Sequence, residues 1–321
     1  MFVALALALT GLVAAQEITP EITLRAADNQ PEDYPTVVGL RAIADYLSEN
    51  SDGRIEMEIF AGGQLGDERS TIEQAQLGVI DVVRTSASPV GEFYAPMGIY
   101  GLPYLFRDEA HFVSVLQGEV GEELLTGMTE AGLVGLAYYN SGSRNFYTTK
   151  TPVRSPADLQ GLRIRTQESQ VALDMMATLG AEPVPLSFGE VYSSLQTGVI
   201  DGAENNFPSY GPEGVRHYEV APYYTLDGHT RVPEILMISQ TSIDRLSPED
   251  QALLREAAQA SGPVQFEAWA ELVECSRTAV EEAGSEIIEV DVAAFQTAVA
   301  PVLEQYADEF GDLIARIQDT Q

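Results

Sequence analysis

Two stretches of the chain repeat one pattern of hydrophobic and polar positions. "IEQAQLGVIDVV" from Ile72 and "VYSSLQTGVIDGA" from Val191 share the run Gln-x-Gly-Val-Ile-Asp, 120 residues apart from Gln76 to Gln196. In each, apolar residues at helical spacing give way to a glycine and then to a continuous apolar run. Gly78 and Gly198 suit the left-handed position that ends a helix, and Val-Ile predicts the start of a buried strand. The same helix-to-strand corner occurring twice predicts two equivalent α/β lobes. A strict alternation follows in "GLRIRTQES", where Leu162 and Ile164 point one way and Arg163 and Arg165 the other, the pattern of a strand with one face in a core. Read alone, that alternation describes a solvated polar face. Ser187 and Glu190 in "PLSFGEVYSSLQ" form a capping-box pattern. Ser247 followed by Pro248 marks the start of another helix, which runs into a long helical tail through "AVEEAG".

In open α/β sheets, ligands lie beyond the carboxyl ends of strands, so the two corners point at "VVRTSAS", residues 82–88, and "GAENNFPSYGP", residues 202–212. The second is a polar loop carrying Glu204, Asn205 and Asn206. Arg144 follows the apolar run "GLVGLAYYNSGS", where a strand is expected to end.

Composition sharpens this picture. The 321 residues, 45% of them hydrophobic, suffice for about two domains. The formal charge of −32 argues against nucleic acid and anionic membrane surfaces, which need a basic face. Lys150 is the only lysine, so nearly all positive charge is arginine, the side chain that forms planar two-pronged contacts with carboxylates. Residues 1–15, "MFVALALALTGLVAA", read as a signal peptide cleaved after Ala15, although no basic residue precedes the apolar run. A membrane helix is the competing reading, and the run is short of the length required. Cys275 is the only cysteine, so no internal disulfide forms, and its helical context predicts a small core residue. No nucleophile elbow, P-loop, dinucleotide fingerprint or HExxH motif occurs. His111, His217 and His229 are scattered without metal-ligand spacing, so neither a metal nor a cofactor is expected. Carboxylates are numerous enough to hide a catalytic pair, which leaves a lyase or glycosidase open.

"GGQLGDERSTIEQAQLGVID", "GLPYLFRD", "SPADLQGLRIRTQES", "LGAEPVPLSFGEVYSSLQTGVIDGAENN" and "PEILMIS" agree in order and spacing with one family. Over nearly the whole chain the sequence resembles the substrate-binding proteins of tripartite ATP-independent periplasmic (TRAP) transporters, of the DctP type. The resemblance implies an α/β periplasmic binding protein fold, with two lobes joined by hinge segments, a ligand cleft that closes between them, and long C-terminal helices. Residues 16–145 are then mainly the first lobe, 146–235 mainly the second, and 236–321 the hinge return and C-terminal helices. It also implies a periplasmic monomer that delivers an organic acid to a membrane permease without chemical reaction. Its ligand-carboxylate arginine falls on Arg165, gripping through two parallel hydrogen bonds, while Arg163 stays solvated. Its second arginine falls on Arg144, its cleft asparagine on Asn205, its aromatic on Phe188, and polar positions of the first lobe on Asn29 and Glu68. "NSGSRNFYT", "AENNFPSY" and "DGHTRVPEILMIS" look most like members that bind glucuronate and galacturonate. A sugar acid needs one carboxylate clamp and many hydroxyl partners, which Glu68, Asn29, Asn205 and Asn206 supply, with His229 in the last of those runs completing the expected set. Arg84 and Arg144, as further cations, keep dicarboxylates as an alternative, beside other sugar or keto acids, and a sensor is the alternative partner to the permease.

Overall fold

A computed structural model describes residues 19–212 and 214–321. The apolar run over residues 1–15 and its cleavage point lie outside the described residues. Among the described residues, eleven strands form two sheets: β1 (Ile22–Ala27), β2 (Ile55–Phe60), β3 (Val82–Ser86), β4 (Leu133–Tyr139), β5 (Arg144–Thr148), β6 (Arg163–Thr166), β7 (Glu182–Pro185), β8 (Gly202–Asn205), β9 (Tyr223–Thr230), β10 (Glu234–Ser239) and β11 (Glu286–Glu289). The first sheet has the order β2-β1-β3-β10-β4 and the second β11-β9-β5-β8-β6-β7. The chain passes between them through residues 140–143, through residues 231–233, and along the helix Pro248–Glu282. Residues 236–321 thus carry strands for both sheets as well as helices: most of β10, antiparallel to β3 and β4, and β11, parallel to β9.

The two matching corners are built alike. Gly78 (φ 71°) and Gly198 (φ 73°) both adopt the left-handed conformation that closes a helix. The strands, however, begin after the Val-Ile pair, at Val82 and Gly202. Val79 and Val199 are 51% and 52% exposed, because the left-handed turn swings the next side chain outward, whereas Ile80 and Ile200 are fully buried and anchor the corner. The shared aspartate starts the ladder in both lobes. The N–H of Asp81 donates to Arg25 and that of Asp201 to Arg163, while the two carboxylates accept from the same residues' N–H groups at 2.8 and 3.0 Å.

Ser247 caps the long helix as expected, accepting from the N–H of Asp250 at 3.1 Å. Ser187 does not cap: its hydroxyl bonds the Glu190 carboxylate at 2.7 Å, since a 3-10 turn, Phe188–Glu190, intervenes before the helix Val191–Thr197. Cys275 is exposed rather than in the core. The inward stripe of its helix runs through Trp269, Ser276 and Val280, one residue away from it. Among the described residues, no helix is long and apolar enough to cross a membrane.

Gln265, two residues beyond Pro263 in the long helix, bonds both backbone groups of Asn140, at 2.9 and 2.8 Å. The crossover between the sheets is thereby tied to the helix that spans them. One apolar cluster packs the first sheet, with Leu40, Tyr139 and Leu236, and another packs the second, with Tyr147, Leu195 and Tyr224. A third, including Val83, Phe146, Ile164 and Phe295, is shared by both.

Candidate functional site

Strand ends from both sheets converge on one small cavity. The first sheet's lobe contributes Asn29 and Gln30 after β1, Glu68 at the start of a helix, Arg84 in β3, and Glu234 at the start of β10. The second contributes Arg144 at the start of β5, Arg165 and Gln167 at the end of β6, Phe188, Asn205 at the end of β8, and Ser209.

Three arginines here are almost fully buried, 2% to 4% exposed, and burying a charge is costly unless it is paired. Arg84 is surrounded by carboxylates: two of its nitrogens bond Asp28, Nη1 donates to Glu234 at 2.8 Å, and Glu68 lies 3.8 Å away. Burial alone lowers its pKa, but Asp28, Glu234 and Glu68 outweigh that and raise it. Arg144 forms a two-pronged pair with Glu204 and also donates to its backbone carbonyl at 2.9 Å. Burial raises the pKa of Glu204, yet Arg144 and His229 reverse the effect and hold it at about 2. Arg165 is different. Its Nε and Nη2 donate to the carbonyl of Leu186, at 2.9 and 2.7 Å, and it has no carboxylate partner among the described residues. Its pKa is lowered, chiefly by burial. It is the one buried arginine whose charge the described residues leave uncompensated.

Arg163, on the same face of β6 but at its outer end, pairs with Asp201 at 2.7 Å with side chains 39% and 32% exposed. It belongs to the surface, as the alternation suggests. Arg144 follows the end of β4, as expected, and also opens a strand of the second sheet, because the chain changes sheets at residues 140–143.

The cavity thus brings together Asn29, Glu68, Arg84, Arg144, Arg165, Phe188 and Asn205 of the expected set. Asn206 and His229 lie outside it. The Asn206 side chain accepts from the Ser209 N–H at 2.8 Å and donates to the Ser141 carbonyl at 3.0 Å, capping a turn of helix. His229 stands behind Glu204, 2.7 Å from Asp227 and 3.5 Å from Glu204. Burial lowers its pKa, but the two carboxylates outweigh burial and raise it to about 9. Four lining residues escaped the sequence reading: Gln30, Gln167, Ser209 and Glu234. Gln167 was recoverable, two residues beyond Arg165 on the same strand face. Glu234 was not, since only the pairing of β10 with β3, which sets it opposite Ser86, brings it to the cavity. Burial, with Glu68 and Asp28 adding to it, raises its pKa to about 7 against the opposing pull of Arg84.

Two α/β lobes enclosing a small polar cavity, with one cation unpaired among the described residues, define a binding protein for a small organic anion. The family model for bacterial extracellular solute-binding protein, family 7, matches residues 26–309, and the chain belongs to this family, the DctP type of TRAP transporter. A TRAP periplasmic solute-binding protein from Bradyrhizobium sp. BTAi1, solved in complex with α/β-D-galacturonate, is 44% identical, with a TM-score of 0.90 over 93% of this chain and 100% of that one. One from Pseudomonas putida F1 with bound D-glucuronate is 39% identical, with a TM-score of 0.90 over 93% and 97%. A solute-binding protein of Chromohalobacter salexigens is 36% identical over 292 residues, 91% of this chain and 86% of its own.

Proposed function

We propose that the protein captures a uronic acid, galacturonate or glucuronate, in the periplasm, and delivers it unchanged to a TRAP permease. The observation that carries this reading is the charge arrangement of the cavity: among the described residues Arg165 alone of its arginines lacks a carboxylate partner, so one ligand carboxylate completes it. The side edge of its guanidinium, Nε with Nη2, is held by Leu186. The carboxylate therefore meets the end-on edge, Nη1 with the second hydrogen of Nη2, still as two parallel hydrogen bonds. Nδ2 of Asn29 and Asn205, which have no described partner in the protein, face the same cavity as donors. Phe188 supplies an apolar surface for a sugar ring. Arg84 and Arg144 are neutralised from within, which disfavours a C4-dicarboxylate needing two free cations. The structures of relatives with bound uronates support the same choice.

The test is a thermal-shift panel of uronates, C4-dicarboxylates and keto acids, because a ligand that binds only the folded state raises the melting temperature by mass action. Uronates should give the largest shifts, confirmed by calorimetry. A larger shift with a C4-dicarboxylate overturns the ligand assignment, and conversion of the ligand beyond one equivalent, followed by NMR, overturns the binding-protein reading in favour of an exported enzyme.

A further inference from the structure

Resting on the uronate reading, we infer that Glu234 and Glu68 form a hydroxyl-reading wall that excludes a second carboxylate, so the protein separates uronic acids from the aldaric acids of the same carbon skeleton. Glu68 commits Oε1 to the Ser86 N–H at 2.8 Å and the Thr85 hydroxyl at 3.1 Å. Glu234 commits Oε2 to Arg84 at 2.8 Å. Each carboxylate keeps one oxygen without a described hydrogen bond in the protein. In the same cavity lining, Oε1 of Gln30 is buried with no partner among the described residues, and a buried acceptor of this kind is costly unless a donor reaches it.

Glu68 and Gln30 offer acceptors, as Glu234 does in its ionised form, and what satisfies them is a hydroxyl, which donates. A carboxylate at neutral pH donates nothing. It would also add negative charge where Asp28, Glu68 and Glu234 already share a single guanidinium, that of Arg84. The nearest unpaired cation, Arg165, belongs to the other lobe and is taken by the first carboxylate. The cavity is therefore polar in a directed sense, with the ligand's acid end toward the second sheet and its hydroxyl-bearing end toward the first. Discrimination of this kind works by repulsion as much as by attraction, and like charges brought together across an interface are strongly disfavoured.

The experiment is calorimetry of galacturonate and galactaric acid on the wild type, Glu234→Gln and Glu68→Gln. The wild type should prefer the uronate by about 100-fold or more. Glu234→Gln keeps the size and an acceptor for Arg84 but replaces the free oxygen with an N–H donor. It should bring the two affinities at least about tenfold closer, by strengthening galactarate and weakening galacturonate. Glu68→Gln, at a partly exposed helix start, should move the ratio the same way and serves if Glu234→Gln does not fold. An unchanged ratio in a folded variant, with the uronate still bound by the wild type, overturns this inference alone. A wild type that binds galactarate as well as galacturonate also overturns it, and one that binds neither removes the uronate reading first.

Discussion

Replacing Arg165 should weaken binding strongly while leaving the stability of the free protein nearly unchanged, which separates a ligand clamp from a structural ion pair. The guanidinium is 2% exposed and, among the described residues, held only by the Leu186 carbonyl, at 2.9 and 2.7 Å. In the free protein its charge is buried with no counter-ion among the described residues, and burial lowers its pKa. Arg165→Met removes that charge while roughly preserving the side chain's length. Against this gain stands the Leu186 carbonyl left unbonded, worth about 1–3 kcal/mol, so the free protein should melt at or near the wild-type temperature. Binding should suffer far more. Truncating one partner of a buried, hydrogen-bonded charge pair costs about 2–5 kcal/mol, which at about 1.4 kcal/mol per decade is a loss of roughly 30-fold to 4,000-fold in affinity. Arg165→Lys keeps the charge but cannot hold Leu186 and a carboxylate together in one plane, so it should still lose about tenfold or more. Arg163→Ala is the control: its partner Asp201 is at the surface, and affinity should stay within about twofold. Calorimetry with galacturonate, and melting curves with and without it, read all four proteins. Affinity retained in Arg165→Met, equal losses at Arg163 and Arg165, or a collapse of the melting temperature in Arg165→Met alone would each refute the reasoning.

His229 gives a pH signature. Its folded pKa, about 9, lies above the ordinary 6.5, so its stabilising contribution is complete below pH 6.5 and disappears as the pH rises through 9, about 3 kcal/mol at most. Denaturant unfolding of wild type and His229→Gln should therefore differ most near pH 6 and converge by pH 10; a constant gap would show that packing, not charge, accounts for the residue. The paired corners give a comparison within one molecule. Asp81 also accepts from the Ser242 hydroxyl at 2.6 Å and Arg245 at 2.7 Å in a buried setting, whereas Asp201 is partly exposed. Asp81→Ala should cost about 2 kcal/mol or more, and Asp201→Ala clearly less, as measured by chemical denaturation; the reverse order would contradict this account of the corners.

What the chain states by itself is what neighbouring residues decide. Gly78 and Gly198 close helices because no other residue takes the left-handed turn so cheaply, and Ser247 caps because its hydroxyl reaches an N–H three residues on. Asp81 and Asp201 repeat because both lobes start a strand in the same way. The alternation through Arg163 and Arg165 is likewise local, and the family motifs extend it to the whole chain. By contrast, no local pattern distinguishes Arg165 from Arg84 and Arg144. The last two are neutralised by Asp28 and Glu204, 56 and 60 residues away, and Arg84 also by Glu234, 150 residues away. Strand pairing alone sets those distances. It also carries Glu234 into the cavity and leaves His229 and Asn206 behind its wall. A buried charge is free or paired according to what folding places within a few ångströms of it, so which arginine stays unpaired among the described residues is decided in the tertiary structure.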